Sequence, residues 1–255
     1  MSYEVLLPVG YARGQQRYPV LYLLHGWQGD ETNWFTLTHL RQAAARYPLL
    51  IVTPRADNSW YVDSATQPGD RYAEYLFDDL TAEIDHRYRT LATPAGRAMA
   101  GLSMGGYGAM LFVLHHPAAF RFAASLSGAF DAPSGIESVL PALKPSIDAA
   151  FGPPKSATRK DNDVHRLIAE ANPATLPYLF LECGESDRLL PSNRALVSEL
   201  SEHHVAYEYR ELPGNHNWAF WDQAVAPMLA ALARALQLQP LAEDAIVSAD
   251  ASAAR

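Results

Sequence analysis

Residues 97–110 read RAMAGLSMGGYGAM, and this stretch decides the fold. At its centre Gly101, Leu102, Ser103, Met104 and Gly105 form a G-x-S-x-G pattern. An apolar, strand-like run precedes the pattern and an apolar, helix-like run, MGGYGAMLFVLHH, follows it. A strand that turns straight into a helix around a serine demands a very sharp bend. That bend strains the serine backbone and lifts its hydroxyl above the sheet edge, and only small residues fit beside it. Gly101, Gly105 and Gly106 meet the demand, so Ser103 is the expected nucleophile. Ser127, in SLSGAF, also follows a strand-like run but lacks a glycine two positions earlier, and it reads as a turn residue.

A serine hydroxyl needs an imidazole to take its proton, and the imidazole needs a carboxylate to orient it. On a strand–turn–helix nucleophile the chain order is serine, acid, histidine. His216, in ELPGNHNWAF, lies between the last strand-like run and the last helical one, where α/β sheets place their chemistry. It is the expected base. His115 and His116 close the helix after Ser103, His165 falls in an irregular stretch as a satisfied surface residue, and His203 and His204 close another helix. Two acids follow the run YLFLECG, Glu185 and Asp187. Asp187 is preferred because the turn has by then extended far enough to point back, with Glu185 as the fallback. Fixed donors must meet the oxyanion of the tetrahedral intermediate. The Met104 backbone N–H is one candidate, at a helix start. The Trp27 N–H is the other, in the loop His25-Gly26-Trp27 that follows VLYLL. His25 is expected to shape that loop rather than to react.

Outward from the motif, strand-like runs fall at 20–24, 49–53, 97–101, 122–126, 178–183 and 206–212, with an edge-strand pattern at 3–7. Helical spacing covers 37–47, 74–88, 104–115, 193–203 and 218–236. This alternation predicts an α/β fold, a mainly parallel sheet flanked by helices. Residues 131–176 break the alternation with Pro, Gly, Ser, Asp and Lys, around one helical run at 164–171. So long a connection reads as a cap over the site, with a surface insertion as the other reading. Residues 239–255 are poor in large apolar side chains and are expected to be disordered, leaving 1–238 as one domain.

The chain has 255 residues, 49% hydrophobic and 19% charged, with a net charge of -8. The charge argues against nucleic acid or an anionic membrane as partner. No apolar run is long enough for a membrane helix, and the first twenty residues do not read as a signal peptide, so a cytoplasmic location is expected. The single cysteine, Cys183, excludes an internal disulfide and reads as a buried residue at a strand end. The chemistry calls for no metal and no cofactor; the glycines at 101, 105, 106 and 108 belong to the bend and to close helix packing, not to a phosphate loop.

The segments LYLLHGWQGDETNW, NSWYVDS, GLSMGGYGAM, CGESDRLL and PGNHNWAFW together resemble the α/β-hydrolase family named "Putative esterase". That family includes esterase D-like, feruloyl, acetylxylan and tributyrin esterase-like enzymes and mycolyltransferases. The resemblance covers most of residues 3–236. It implies a nucleophile, acid and base at Ser103, Asp187 and His216, and oxyanion donors at Trp27 and Met104. The chain departs from the pattern in two places. It begins almost at YEVLLP, so the sheet is expected to lack its first strand. PRADNSWYVDS is unlike the matching region of S-formylglutathione hydrolases.

The expected substrate is a small ester with a short or aromatic acyl group. Trp60 and Tyr61 follow the run LLIVT and are either pocket walls or packed loop aromatics; Trp218 is a further pocket candidate and Trp221 reads as core. Three function classes share these residues: a carboxylesterase, which is favoured, an acyltransferase or S-formylglutathione-type thioesterase, and an inactive binding protein. Peptidase chemistry is open to the same triad.

Overall fold

The computed structural model describes residues 1–242, so the expectation of disorder for the tail falls, from residue 243 on, outside the described residues. Seven strands form one sheet: β1 (Tyr3–Leu6), β2 (Val20–Leu24), β3 (Leu50–Pro54), β4 (Arg97–Leu102), β5 (Phe122–Leu126), β6 (Tyr178–Gly184) and β7 (Tyr207–Leu212). Their order across the sheet is β1-β3-β2-β4-β5-β6-β7. Edge strand β1 runs antiparallel to β3, and every other pairing is parallel. Among the described residues β1 is the only strand before VLYLL. The winding direction reverses between β2 and β4. The carboxyl ends of those two strands therefore open a crevice, the usual place for a ligand in a wound sheet.

The helices are α1 (Asn33–Leu37), α2 (Leu40–Ala44), α3 (Tyr72–Glu74), α4 (Thr81–Arg87), α5 (Met104–His115), α6 (Lys144–Phe151), α7 (Ala157–Asp161), α8 (Val164–Glu170), α9 (Leu190–Glu202) and α10 (Trp218–Leu236). A π-helical turn, Tyr75–Leu80, joins α3 to α4. The period of two along each strand divides the core into two layers. Val20, Tyr22 and Leu24 of β2 face one layer, packed with α4, α5, α8 and α9. Leu21 and Leu23 face the other, packed with α2 and α10. Helix α5 is buried on every side from Met104 to Leu114, which is why its sequence is apolar all round rather than striped.

Two expectations are corrected. The single helix expected at 37–47 is two short helices, with Thr38 extended between them (φ -138°, ψ 168°). Local bonds impose the break: the Thr38 hydroxyl donates to the Trp34 carbonyl at 2.5 Å and accepts from the Leu40 N–H at 3.2 Å. His39 then donates its backbone N–H to Asp222 of α10 at 2.6 Å, tying the break to the far end of the chain. The irregular stretch 131–176 holds more order than its composition suggests, with α6, α7 and α8 and three 3-10 turns, Ile136–Ser138, Pro141–Leu143 and Pro173–Thr175. Among the described residues no helix is long and apolar enough to cross a membrane.

Candidate active site

Ser103 sits at the bend between β4 and α5 with φ 52° and ψ -115°, a sparsely populated backbone state for a residue with a side chain. Such a state costs on the order of 1–3 kcal/mol and persists only when the surroundings over-determine it. Three backbone bonds do so. The Ser103 N–H donates to the Leu126 carbonyl at 2.9 Å, and the Ser103 carbonyl accepts from Tyr107 at 3.0 Å and Ala129 at 3.1 Å. The glycines around it are required by space. A Cβ on Gly101 would stand 2.3 Å from the Gly105 carbonyl oxygen, and one on Gly105 would stand 2.5 Å from that of Leu24.

Distant segments complete the site. His216 lies in the loop between β7 and α10, just before Asn217, whose side chain caps α10 by accepting from the Phe220 N–H. Its Nε2 is 2.9 Å from the Ser103 hydroxyl. Its Nδ1 is 2.9 Å and 3.1 Å from the two carboxylate oxygens of Asp187. The Asp187 side chain is wholly buried, and it also accepts from the Leu189 N–H at 2.8 Å. Burial would raise its pKa, but the bond and charge of His216, with hydrogen bonds from Leu189 and Ser127, together outweigh burial and hold it below the ordinary carboxylate range. An ionised Asp187 requires a proton on Nδ1, which leaves Nε2 free to accept the Ser103 hydroxyl proton. Glu185 stays exposed and takes no part in this chain of bonds. The Trp221 ring meets the His216 ring edge-on with centroids 4.9 Å apart; the residue read as core also braces the base.

Next to Ser103 runs the loop after β2. A Cβ on Gly26 would stand 2.6 Å from the Leu102 Cδ1 and 3.6 Å from the Ser103 Cβ, so the loop packs directly on the bend that carries Ser103. Among the described residues neither the Trp27 nor the Met104 backbone N–H donates a hydrogen bond, although both lie in bonded surroundings. His25 fixes the loop, as expected. Its Nδ1–H donates to the Gly26 carbonyl at 2.7 Å, and its Nε2 accepts from the Ala56 N–H at 3.0 Å. Burial lowers its pKa, in keeping with the neutral ring those two bonds need.

A cavity of about 720 Å³ opens over Ser103. Trp60 and Trp218 lie on its wall, and the Trp60 Nε1–H donates to the Ser146 hydroxyl of α6 at 3.1 Å. Tyr61 is not on the wall. It is fully buried, its ring packs on Gly108 of α5, and its hydroxyl donates to the His25 carbonyl at 2.8 Å. Trp60 and Tyr61 both hold left-handed φ, 57° and 60°, and this local twist sends neighbouring rings to different places. A further part of the wall, Ile136 and Val139 to Leu143, lies in the stretch 131–176 expected to cap the site, although no single residue of it was marked as a pocket candidate. Arg188, also on the lining, was missed, and the signal for it was its place directly after Asp187.

A family model described as "Putative esterase" matches residues 1–232. An acetyl esterase from Caldicellulosiruptor saccharolyticus is 27% identical over 216 residues, covering 81% of this chain and 80% of that protein. The solved structure of FphF, a fluorophosphonate-binding serine hydrolase from Staphylococcus aureus, superposes with a TM-score of 0.82 at 27% identity, covering 91% of each chain. A ferulic acid esterase structure superposes with a TM-score of 0.77 at 26% identity, covering 91% of this chain and 92% of that one.

Proposed function

The chain belongs to the "Putative esterase" family and is a serine hydrolase of carboxylic ester bonds, and on that premise we propose that it cleaves short-chain or aromatic acyl esters through an acyl-enzyme on Ser103. One observation carries this reading: the Ser103 hydroxyl, the His216 ring and the Asp187 carboxylate form an unbroken hydrogen-bonded chain.

In the first half-reaction Ser103 Oγ attacks the acyl carbon while His216 Nε2 takes its proton. Negative charge gathers on the former carbonyl oxygen, where the Trp27 and Met104 N–H groups receive it, aided by the dipole of α5. The bond to the alcohol oxygen then breaks, and His216 delivers its proton to the leaving alcohol. In the second half-reaction water attacks the acyl-enzyme, gives a proton to His216, and releases the acid as Ser103 Oγ takes that proton back. Asp187 stays ionised throughout, orienting the ring and balancing the imidazolium. The volume of the cavity and its apolar and aromatic walls suit a small ester with short or aromatic groups. Residues 131–176 act as a cap: they supply the wall from Ile136 to Leu143 and are pinned to the sheet side through Ser146 and Trp60.

The test is a p-nitrophenyl ester series of rising chain length on wild type and Ser103→Ala. Turnover is expected to peak at short acyl chains and to vanish in the variant, with its circular dichroism spectrum unchanged and no mass gained on treatment with a fluorophosphonate. Substantial turnover by Ser103→Ala would overturn the mechanism, and a peak at long chains would overturn the substrate class.

A further inference from the structure

The cavity over Ser103 is electrostatically lopsided. Its wall holds Trp27, Trp60, Trp218 and the aliphatic run 139–143, and among the described residues that line it no acid appears. Apart from His216, the one ionisable side chain on the wall is Arg188. Arg188 is exposed, and among the described residues no carboxylate lies within ion-pair distance of its guanidinium and no hydrogen bond uses it. Ten other arginines among the described residues each meet an acid within 4.0 Å, Arg55, Arg97 and Arg159 among them.

The backbone around Arg188 is fixed on both sides. The Leu189 N–H donates to the Asp187 carboxylate at 2.8 Å, and the Leu190 N–H donates to the Asp187 carbonyl at 3.0 Å. The same turn that aims Asp187 inward at His216 therefore sets Arg188 on the wall of the cavity that opens over Ser103. Beyond Arg188 the space continues into a second cavity of about 600 Å³, which shares Ile136, Val139, Arg188 and Leu189 with the first. That second space contains two acids, Asp131 and Glu137, but both are already matched: Asp131 by His165 at 3.2 Å and Glu137 by Arg159 at 2.8 Å. Neither neutralises Arg188.

We infer that Arg188 is a specificity-determining residue that selects esters carrying a second, anionic group, a carboxylate or its equivalent, on the part of the substrate that lies along the Ile136–Arg188 side of the cavity. This inference rests on the ester-hydrolase reading of Ser103 and names the substrate class within it. A planar guanidinium offers paired donors that match a carboxylate, and an apolar wall weakens the screening that makes exposed ion pairs nearly worthless in water. In a chain of net charge -8 an unpaired cation at the catalytic mouth also draws an anion to the one place where it is useful.

Two matched pairs of esters test the idea. p-Nitrophenyl hydrogen glutarate against p-nitrophenyl pentanoate places the charge on the acyl side. 4-Acetoxybenzoate against its methyl ester places it on the alcohol side. The readout is the ratio of kcat/KM, anionic over neutral, within each pair. In at least one pair the ratio is expected to fall about tenfold in Arg188→Gln, to fall further in Arg188→Glu, and to recover in part in Arg188→Lys. A second measurement needs no variant: the same ratio in wild type is expected to fall as salt is raised. Ratios that Arg188→Gln and salt leave unmoved in both pairs overturn the inference. Failure of the underlying reading looks different, because then neither member of a pair is turned over, or Ser103→Ala turns over both.

Discussion

Replacing Tyr61 by Phe removes one oxygen atom from the middle of the site's support. The ring that packs on Gly108 stays, so no large cavity forms. What is lost is the 2.8 Å bond from the hydroxyl to the His25 carbonyl, in a residue with no exposed surface. A buried carbonyl left without its donor costs about 1–3 kcal/mol. In a chain of this size that lowers Tm by roughly 2–10 °C. The functional effect follows from position. His25 is two residues before Trp27, and its carbonyl is held between Tyr61 and the close-packed Gly105. Freed of Tyr61, the loop holds the Trp27 N–H less firmly against the developing oxyanion. Complete loss of one such donor costs about 10²–10³ in kcat, so partial loosening should cost about tenfold, with KM little changed. Steady-state hydrolysis of p-nitrophenyl acetate, together with thermal unfolding, measures both effects. Tyr178→Phe is the control, since its hydroxyl makes an equally short bond to Glu208 far from the site, and kcat should not move. A Tyr61→Phe protein with lowered Tm and undiminished kcat would refute the reasoning: the bond would then be packing alone.

Asp187→Asn should lower kcat by about 10³–10⁴ on the same substrate, because an amide can donate to Nδ1 and so hold the proton on Nε2, whereas Glu185→Gln should stay near wild type. His165 contributes a pH-dependent share of stability. Burial alone would lower its pKa, but bonds to Asp131 and Glu199 outweigh burial and raise it to about 9 from 6.5. A histidine raised in the folded state stabilises fully below 6.5 and loses that contribution as pH climbs through about 9. The share, discounted for partial exposure and coupling, is on the order of 2 kcal/mol, so Tm should fall by several degrees between mildly acidic and alkaline buffer, and His165→Gln should flatten that slope. Burial pushes the Cys183 thiol up to about 12, so a chromogenic disulfide reagent should leave the folded protein untouched in mildly alkaline buffer and react with one thiol after unfolding.

Some of the molecule was written in local sequence. The bend at Ser103 needs small residues within a few positions, and the buried helix after it is apolar throughout and stopped by Pro117, so the element and the candidate nucleophile could be read together. Strand runs were legible for the same reason, and the order of Ser103, Asp187 and His216 along the chain singled out the side chains that the structure joins by hydrogen bonds. Other features depended on partners far away. The break at Thr38 and His39, imposed by the bonds of the Thr38 hydroxyl against a period that favours helix, is held in place by Asp222, 183 residues on. Trp60 and Tyr61 are adjacent aromatics, and only the left-handed backbone of each and the packing of Gly108 send one ring to the cavity and the other beneath the loop after β2. The wall at 136–143 carries no periodic signal, because its side chains are chosen to meet a cavity formed by β2, β4 and α10 rather than a neighbouring turn. Sequence alone determined the parts whose constraints lie within a few residues, since sterics and hydrophobic period act at that range. The shape of the pocket and the charge at its mouth were decided by tertiary structure, since they arise only where separate segments close on one another.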